Sequence, residues 1–220
     1  MYKQMKYGLG YALVTNVTTF LARTLFHAKR AEIKYILSLL EKEEGKKILD
    51  FGCNLGHLTI MIKKAAPKNE VCGTDINDFA LKCARRKHKH IKFCEINNKF
   101  LKNNKFDIII VSHVLEHIKK REEFMKNLSK LLSDNGKLIM AVPQERVRGD
   151  VNLVHLFYNF VRLRFKNPHV VKLYYNDLEY LFNKEGLRID DSIYTNFIFP
   201  KSKKRKFYSF SLVVSASRKK

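Results

Sequence analysis

The segment ILDFGCNLGHLT, residues 48–59, brings a carboxylate, two glycines and the start of a helix into one short stretch. Gly52 lets the backbone turn tightly at a strand end, and Gly56 permits close approach of a ligand or of the sheet. The loop amides, together with the helix N-terminus, suit a polar or anionic ligand group. Asp50 stands just before the turn, where a carboxylate can reach toward a cationic group. Asp75 ends the next apolar run, VCGTD, about 20 residues past the glycine loop, where an acidic side chain can accept both hydroxyls of a ribose. The plain alternatives are a tight turn that holds no ligand and, for Asp75, a cap on the helix DFALKCA. In SHVLEH, His113 and His117 can take or give a proton near neutral pH, and His155 and His169 follow as weaker candidates. His117 beside Glu116 can equally serve packing or capping.

These residues need a frame that brings them together. KKILDFG, VCGTDI, IKFCEI and FDIIIVS read as strands, the last apolar enough for a central strand buried on both faces. Residues 12–40 read as helical, with Ile33, Ile36, Leu37 and Leu40 on one face. A helix from about Leu55 to Ala66 stops at Pro67, DFALKCARRK is another, and EFMKNLSKLLSDNG is a third that ends at its glycine before the strand KLIMAVP. This alternation over residues 46–143 predicts an α/β fold: a doubly wound, Rossmann-like, seven-stranded mixed sheet with helices on both faces. NDLEYLFNKEG predicts a helix capped by Asn176 or Asp177, with Leu178, Leu181 and Phe182 inward and Gly186 at its end. Two strand candidates follow, joined by the basic hairpin KSKKRK, and the last strand is expected to be antiparallel. Residues 1–220 read as one domain: a helical or lid region at 1–44, a ligand-binding half at 45–143, an insertion and helix at 144–186, and a terminal strand pair at 187–220.

Composition narrows the classes of function. With 45% hydrophobic and 29% charged residues the chain is neither disordered nor fibrous. The net charge of +22 favours an anionic partner, whether RNA, DNA, a phosphorylated small molecule or a lipid surface, without choosing among them. The four cysteines form no CxxC pair, so no metal site is expected and a reducing cytoplasm fits. The opening residues lack the pattern of a secretion signal, and no run is long and apolar enough to cross a membrane.

Four ordered motifs resemble the class I S-adenosylmethionine-dependent methyltransferases, in the broad group acting mostly on small molecules. ILDFGCNLGHL resembles that group's first motif and VCGTDI its second-strand acidic motif. FDIIIVSHVLEHI resembles the fourth-strand segment, in which a Glu-His pair follows the strand, and LLSDNGKLIMAVP resembles the turn and fifth strand. The resemblance implies S-adenosyl-L-methionine as cofactor. It places the loop Gly52, Cys53, Asn54 and Gly56 against the methionine part, Asp50 at the amino end, Asp75 on the ribose hydroxyls and Ile76 over the adenine. Asn97 is the nearest match to the adenine-contacting residue, and Ser112 and His113 lie near the cofactor at the end of the fourth strand. One departure is Asn54, which stands where the middle glycine of the loop is common. Asn tolerates the left-handed region better than other non-glycine residues, so the turn survives.

By the same resemblance the reaction is methyl transfer to an oxygen or nitrogen by in-line displacement, for which positioning or one base suffices. His113 and His117 are the candidate bases. The Asn- or Asp-Pro-Pro-aromatic motif of nucleobase amino-methylating enzymes is missing after the fourth strand, and no cysteine follows Cys94 to act as a cytosine-carbon nucleophile. A small acceptor is therefore the expected partner, with RNA, an anionic membrane surface, or a non-catalytic RNA- or protein-binding scaffold as alternatives. No obligate protein partner is expected. Residues 151–175, apolar with basic edges, read as a lid over the acceptor or a membrane-docking surface.

Overall fold

The structure is a computed structural model that describes residues 27–96, 98, 101, 103–144, 172–196 and 200–219. Residues 1–26 of the helical or lid region expected at 1–44, most of the insertion at 144–186, Asn97, His155 and His169 lie outside the described residues.

The chain alternates strand and helix as its pattern predicts. Strands β1 (Lys47–Phe51), β2 (Glu70–Asp75), β3 (Lys92–Glu95), β4 (Phe106–Ser112) and β5 (Leu132–Pro143) are followed by β6 (Leu187–Asn196), β7 (Lys201–Ser202) and β8 (Ser209–Arg218). The helices are α1 (His27–Ser38), α2 (His57–Ala65), α3 (Asp78–Lys87), α4 (Arg121–Leu131) and α5 (Tyr175–Lys184). The strands form one sheet in the order β3-β2-β1-β4-β5-β8-β6-β7. Pairs from β3 through β5 are parallel, whereas β8 runs antiparallel to both β5 and β6. This is the expected doubly wound mixed sheet, with the two-residue β7 added at its edge.

Strand periodicity divides the core between two faces. In β4, Ile109 and Val111 join one apolar cluster while Ile108 and Ile110 join the other. Phe124, Leu128, Leu178 and Phe182 from α4 and α5 cover the first face, and Ile36 and Ile62 from α1 and α2 cover the second. The successive steps outward to β3 and back to β4 put a topological switch point between β1 and β4, where ligands of such sheets bind.

Two local expectations are corrected. Helix α4 does not run to Gly136. It ends at Leu131, and LSDNG belongs to β5: Leu132 pairs with Phe106, and the regular register resumes at Lys137 opposite Ile108. Sheet pairing therefore overrides the glycine signal. The cap of α5 also differs, because Tyr174 occupies the N-cap and donates its backbone N–H to the Asp177 carboxylate at 2.7 Å.

Candidate cofactor and acceptor site

The loop after β1 is held mainly by β2. The backbone N–H groups of Gly52 and Cys53 both donate to the Thr74 carbonyl, at 2.8 and 3.0 Å. The Asn54 N–H donates to Asp75 Oδ2 at 2.7 Å, and Asp75 Oδ1 accepts from the Asn77 N–H at 2.8 Å. Gly52, Asn54 and Gly56 all have positive φ, at 81°, 49° and 76°. A Cβ on Gly52 would lie 2.3 Å from Val114 Cγ2, and one on Gly56 would lie 2.7 Å from Phe93 Cζ. Both glycines thus answer to the protein's own packing as well as to the turn. Asn54 adopts the left-handed conformation that its residue type allows.

Asp50 is buried, 2% exposed, and accepts a hydrogen bond from Thr59 Oγ1 at 2.6 Å. Burial pushes its carboxyl up to about 7, the Thr59 hydrogen bonds pull the other way, and the nearby Asp75 adds to the rise. Among the described residues it has no ion-pair partner, so a ligand ammonium at this position would remove the penalty. Asp75 is raised by burial as well, against the hydrogen bonds of the Asn77, Asn54 and Ile76 amides. Asp75 does not cap α3. Asn77 does so, its side chain accepting from the Ala80 N–H at 3.2 Å. That leaves the lone pairs of Asp75 not used by the amides for ribose hydroxyls. Ile76, beside it, is an exposed large apolar side chain. A buried carboxylate for an ammonium, an acidic tip for a diol and an exposed apolar side chain for a ring match the parts of S-adenosylmethionine.

Across the switch point, Ser112 ends β4 opposite Ala141, and the His113 N–H donates to the Ala141 carbonyl at 2.9 Å. His113 has φ 55°. Its Nε2 lies 2.9 Å from Glu32 Oε2 and its Nδ1 lies 3.6 Å from Glu116 Oε1. Glu32 is fully buried on α1 and also meets Lys29 Nζ at 2.5 Å. Burial disfavours the imidazolium, but Glu32 and Glu116 outweigh burial and Lys29, so His113 is raised above its ordinary value. Burial would raise Glu32, yet Lys29 and His113 hold it well below the usual carboxylate range. Glu116 is also buried, which would raise it, but His113, a backbone hydrogen bond and His117 together hold it lowered.

His117 lies in the short 3-10 turn Leu115–His117, half-exposed, its Nε2 3.9 Å from Glu116 Oε1. The two candidate bases therefore sit in different environments, His113 between carboxylates and His117 facing outward. Cys53 is buried and its thiol is pushed up by burial, which makes it packing for the loop. No group of three or more potential metal ligands exists among the described residues. The basic run at the end of α3 is partly structural, since Arg85 Nε donates to the Phe93 carbonyl at 2.9 Å.

Sequence reasoning missed Thr59, Glu32 and Gln144. Glu32 carried a readable signal, for it interrupts the buried stripe Ala28, Ala31, Tyr35 and Ile36 of α1. A charge inside an apolar stripe requires a buried partner. Which partner, 81 residues away, was not readable.

Residues 49–138 match the family model described as Methyltransferase domain. That span contains the glycine loop, Asp75 and the end of β4. Over these residues the chain is similar to methyltransferase domains. The chain is 24% identical over 156 residues to the ubiquinone/menaquinone biosynthesis C-methyltransferase UbiE of Pasteurella multocida, covering 66% of this chain and 57% of that protein. It is 32% identical over 105 residues to the carboxy-S-adenosyl-L-methionine synthase of Campylobacter hominis, covering 45% of each. The chain thus spans about half the length of these curated relatives. In fold it is similar to magnesium protoporphyrin IX methyltransferase from Synechocystis PCC 6803, solved with bound S-adenosylhomocysteine. That match has a TM-score of 0.61 at 17% identity and covers 99% of this chain and 91% of that one. The cofactor expected from the sequence, S-adenosyl-L-methionine, agrees with these likenesses.

Proposed function

We propose that this protein is a methyltransferase that moves the methyl group of S-adenosylmethionine to a small-molecule acceptor. The observation that carries the reading is the pairing of Asp50, buried and without a counter-charge among the described residues, with Asp75 at the tip of the next strand. Asp50 receives the ammonium and Asp75 the ribose hydroxyls. The loop from Gly52 to Gly56, including Cys53 and Asn54, borders the methionine part, and Ile76 lies against the adenine. When bound, S-adenosylmethionine supplies the electrophilic methyl group.

The protein aligns the nucleophile and excludes water. The acceptor side is the end of β4, with Ser112 and His113. Because both ring nitrogens of His113 face carboxylates, its role on this reading is to shape and charge that wall. His117, half-exposed nearby, is then the base assigned to an acceptor that must lose a proton. An acceptor oxygen or nitrogen suits this arrangement. The quinone-pathway and porphyrin methyltransferases named above support a small, ring-bearing acceptor. The +22 charge favours RNA, membrane and small anions alike, so it selects none of them. The four cysteines are free, in keeping with work in a reducing cytoplasm.

Calorimetric titration of cofactor-free protein with S-adenosylmethionine and S-adenosylhomocysteine tests the reading, with Asp75→Ala alongside. Saturable binding that weakens in the variant supports it and opens a screen of small phenols and acids for turnover. Folded, cofactor-free protein that binds neither ligand would sink the enzyme reading.

A further inference from the structure

We propose that the hairpin joining β6 to β8 recognises an anionic group, a carboxylate or phosphate, on the small acceptor, with Arg205 as the charged contact and Gln144 as the neutral one. The inference rests on the methyltransferase reading and names the substrate class for that same site.

Topology brings the hairpin to the right edge. β8 is antiparallel to both β5 and β6, so β6 runs in the same direction as β5 and the β6–β8 connection leaves the sheet's carboxyl edge. The glycine loop and His113 lie on that edge too. Gln144 directly follows β5, and its N–H donates to the Phe210 carbonyl at 2.9 Å. The Phe210 ring lies 6.2 Å from the His113 ring, centre to centre. Gln144 is only a few residues past Ala141, whose carbonyl holds the His113 N–H. At about 3.3 Å per residue this places Gln144 within roughly 10 Å of His113, about the length of a small molecule.

Two buried polar atoms at this corner have no hydrogen-bond partner among the described residues. Gln144 is 3% exposed, and its Nε2 donates to the Leu173 and Pro143 carbonyls at 2.6 and 3.2 Å. Two carbonyl oxygens fix which end of the amide faces them, because an oxygen there would be repelled. Oε1 is then left shielded from solvent without a donor. Arg205 lies beside it. Its guanidinium covers the Tyr174 ring at 5.0 Å, Nη2 reaches the Gln144 carbonyl at 3.5 Å, and Nε is shielded without an acceptor. Buried polar groups are normally satisfied, and a guanidinium presents a fork matched to carboxylate or phosphate oxygens. An oxyanion on Arg205 Nε and a ligand donor on Gln144 Oε1 would satisfy both.

The surrounding charge favours the same class. Lys203 is paired with Asp191, whereas Lys204, Arg205 and Lys206 have no carboxylate partner among the described residues. The hairpin thus presents a net positive field beside the pocket.

The test uses 15N-labelled protein saturated with S-adenosylhomocysteine, titrated with benzoate, phenyl phosphate and neutral benzamide while the Arg205 Nε–H signal is followed. Either anion should move that signal saturably and benzamide should not. Arg205→Ala should weaken anion binding by about tenfold to a hundredfold, as loss of a charge-assisted hydrogen bond implies. Lys204→Ala, which removes the same charge nearby, should change it by less than about twofold. S-adenosylhomocysteine affinity, measured separately by calorimetry, should hold in both variants. Arg205→Lys keeps the charge and loses the fork, and serves if the alanine variant does not fold. Phosphatidylglycerol vesicles are a second arm: Arg205-dependent binding to vesicles alone assigns a lipid headgroup, and binding of the soluble anions assigns a free acceptor. Both outcomes support the anionic contact. Equal losses in Arg205→Ala and Lys204→Ala, or benzamide binding as well as benzoate, overturn it. Failure to bind S-adenosylhomocysteine defeats the methyltransferase reading alone, since the same benzoate titration run on ligand-free protein reads Arg205-dependent binding independently.

Discussion

Around the β1–β2 crevice, the contacts that shape the site join residues near in sequence or on neighbouring strands: Asp50 with Thr59, and Asn54 and Asn77 with Asp75. Around the end of β4 they join distant parts of the chain. Glu32 reaches His113 across 81 positions, and α1 is also tied away from that end to β6, where the Tyr35 hydroxyl donates to Asp191 Oδ2 at 2.7 Å across 156. The proposed cofactor side is thus a local structure of backbone turns and short-range hydrogen bonds. The proposed acceptor side is assembled by tertiary packing of α1, β4 and the terminal strands. Variants on the two sides should therefore separate stability from cofactor affinity.

The largest expected effect lies on the acceptor side. Glu32→Ala removes a fully buried carboxylate that joins Lys29 to His113. Breaking such a network by deleting one member costs about 3 kcal/mol. Thermal or denaturant unfolding should show that loss, while S-adenosylhomocysteine affinity of the folded protein stays within about threefold. The pH dependence has a fixed sign. Glu32 is lowered in the fold, so its contribution is present above its ordinary value of 4.5 and is lost as pH falls through the folded value. His113 is raised, so its contribution is fully present below 6.5 and is lost as pH rises through the folded value. The native protein should therefore lose this component on both sides of that window, and Glu32→Ala should flatten the profile. A large drop in cofactor affinity with unchanged stability would erase the distinction between the two regions.

Asp75→Ala should show the reverse. It removes the acceptor of the Asn54 and Asn77 amides and of the proposed ribose hydroxyls. Affinity for S-adenosylhomocysteine should fall about a hundredfold, from two lost hydrogen bonds to a charged group. The variant's unfolding midpoint should move less than that of Glu32→Ala. Equal midpoint shifts in the two variants would show that the loop depends on tertiary packing as much as the β4 end does.

A third measurement uses protons. Asp50 is held at about 7 in the fold against 3.8 ordinarily, so between those values the folded protein binds the extra proton and loses stability as pH rises. An ammonium ligand selects the ionised carboxylate. Affinity for S-adenosylhomocysteine should then climb about tenfold per pH unit below 7 and level off above it. Asp50→Asn should bind weakly with no such slope. A flat native profile would remove Asp50 from the ammonium contact.

The same contrast explains what could be read in the sequence. Strand and helix order follow from periodicity, which is local. The glycine loop and Asp75 follow from spacing, because adjacent strands fix how a strand tip faces its neighbour's loop. Glu32 could be flagged as misplaced in an apolar stripe, but its partner depends on how α1 docks. Gln144 and Arg205 gave no signal at all. One directly follows a buried strand and the other sits in a run of lysines, and only the hairpin's return beside β5 brings them together. The misread end of α4 has the same origin, since the pairing of Leu132 with Phe106 comes from a neighbouring strand.

Asn54 gives the smallest effect and the finest probe of the local side. Its φ of 49° is a conformation that glycine adopts without steric cost, and its N–H is the donor to Asp75. Asn54→Gly keeps that donor and relieves the strained φ, while widening the unfolded ensemble, which acts in the opposite sense. The two terms nearly cancel, so stability should change by no more than about 1 kcal/mol. If the loop is shaped by its backbone, S-adenosylhomocysteine affinity should move by less than about threefold, because every main-chain contact of the turn is retained. A tenfold gain would mean instead that the Asn54 side chain narrows the cofactor's place. The local region would then contain a side-chain control of affinity that its backbone geometry does not reveal.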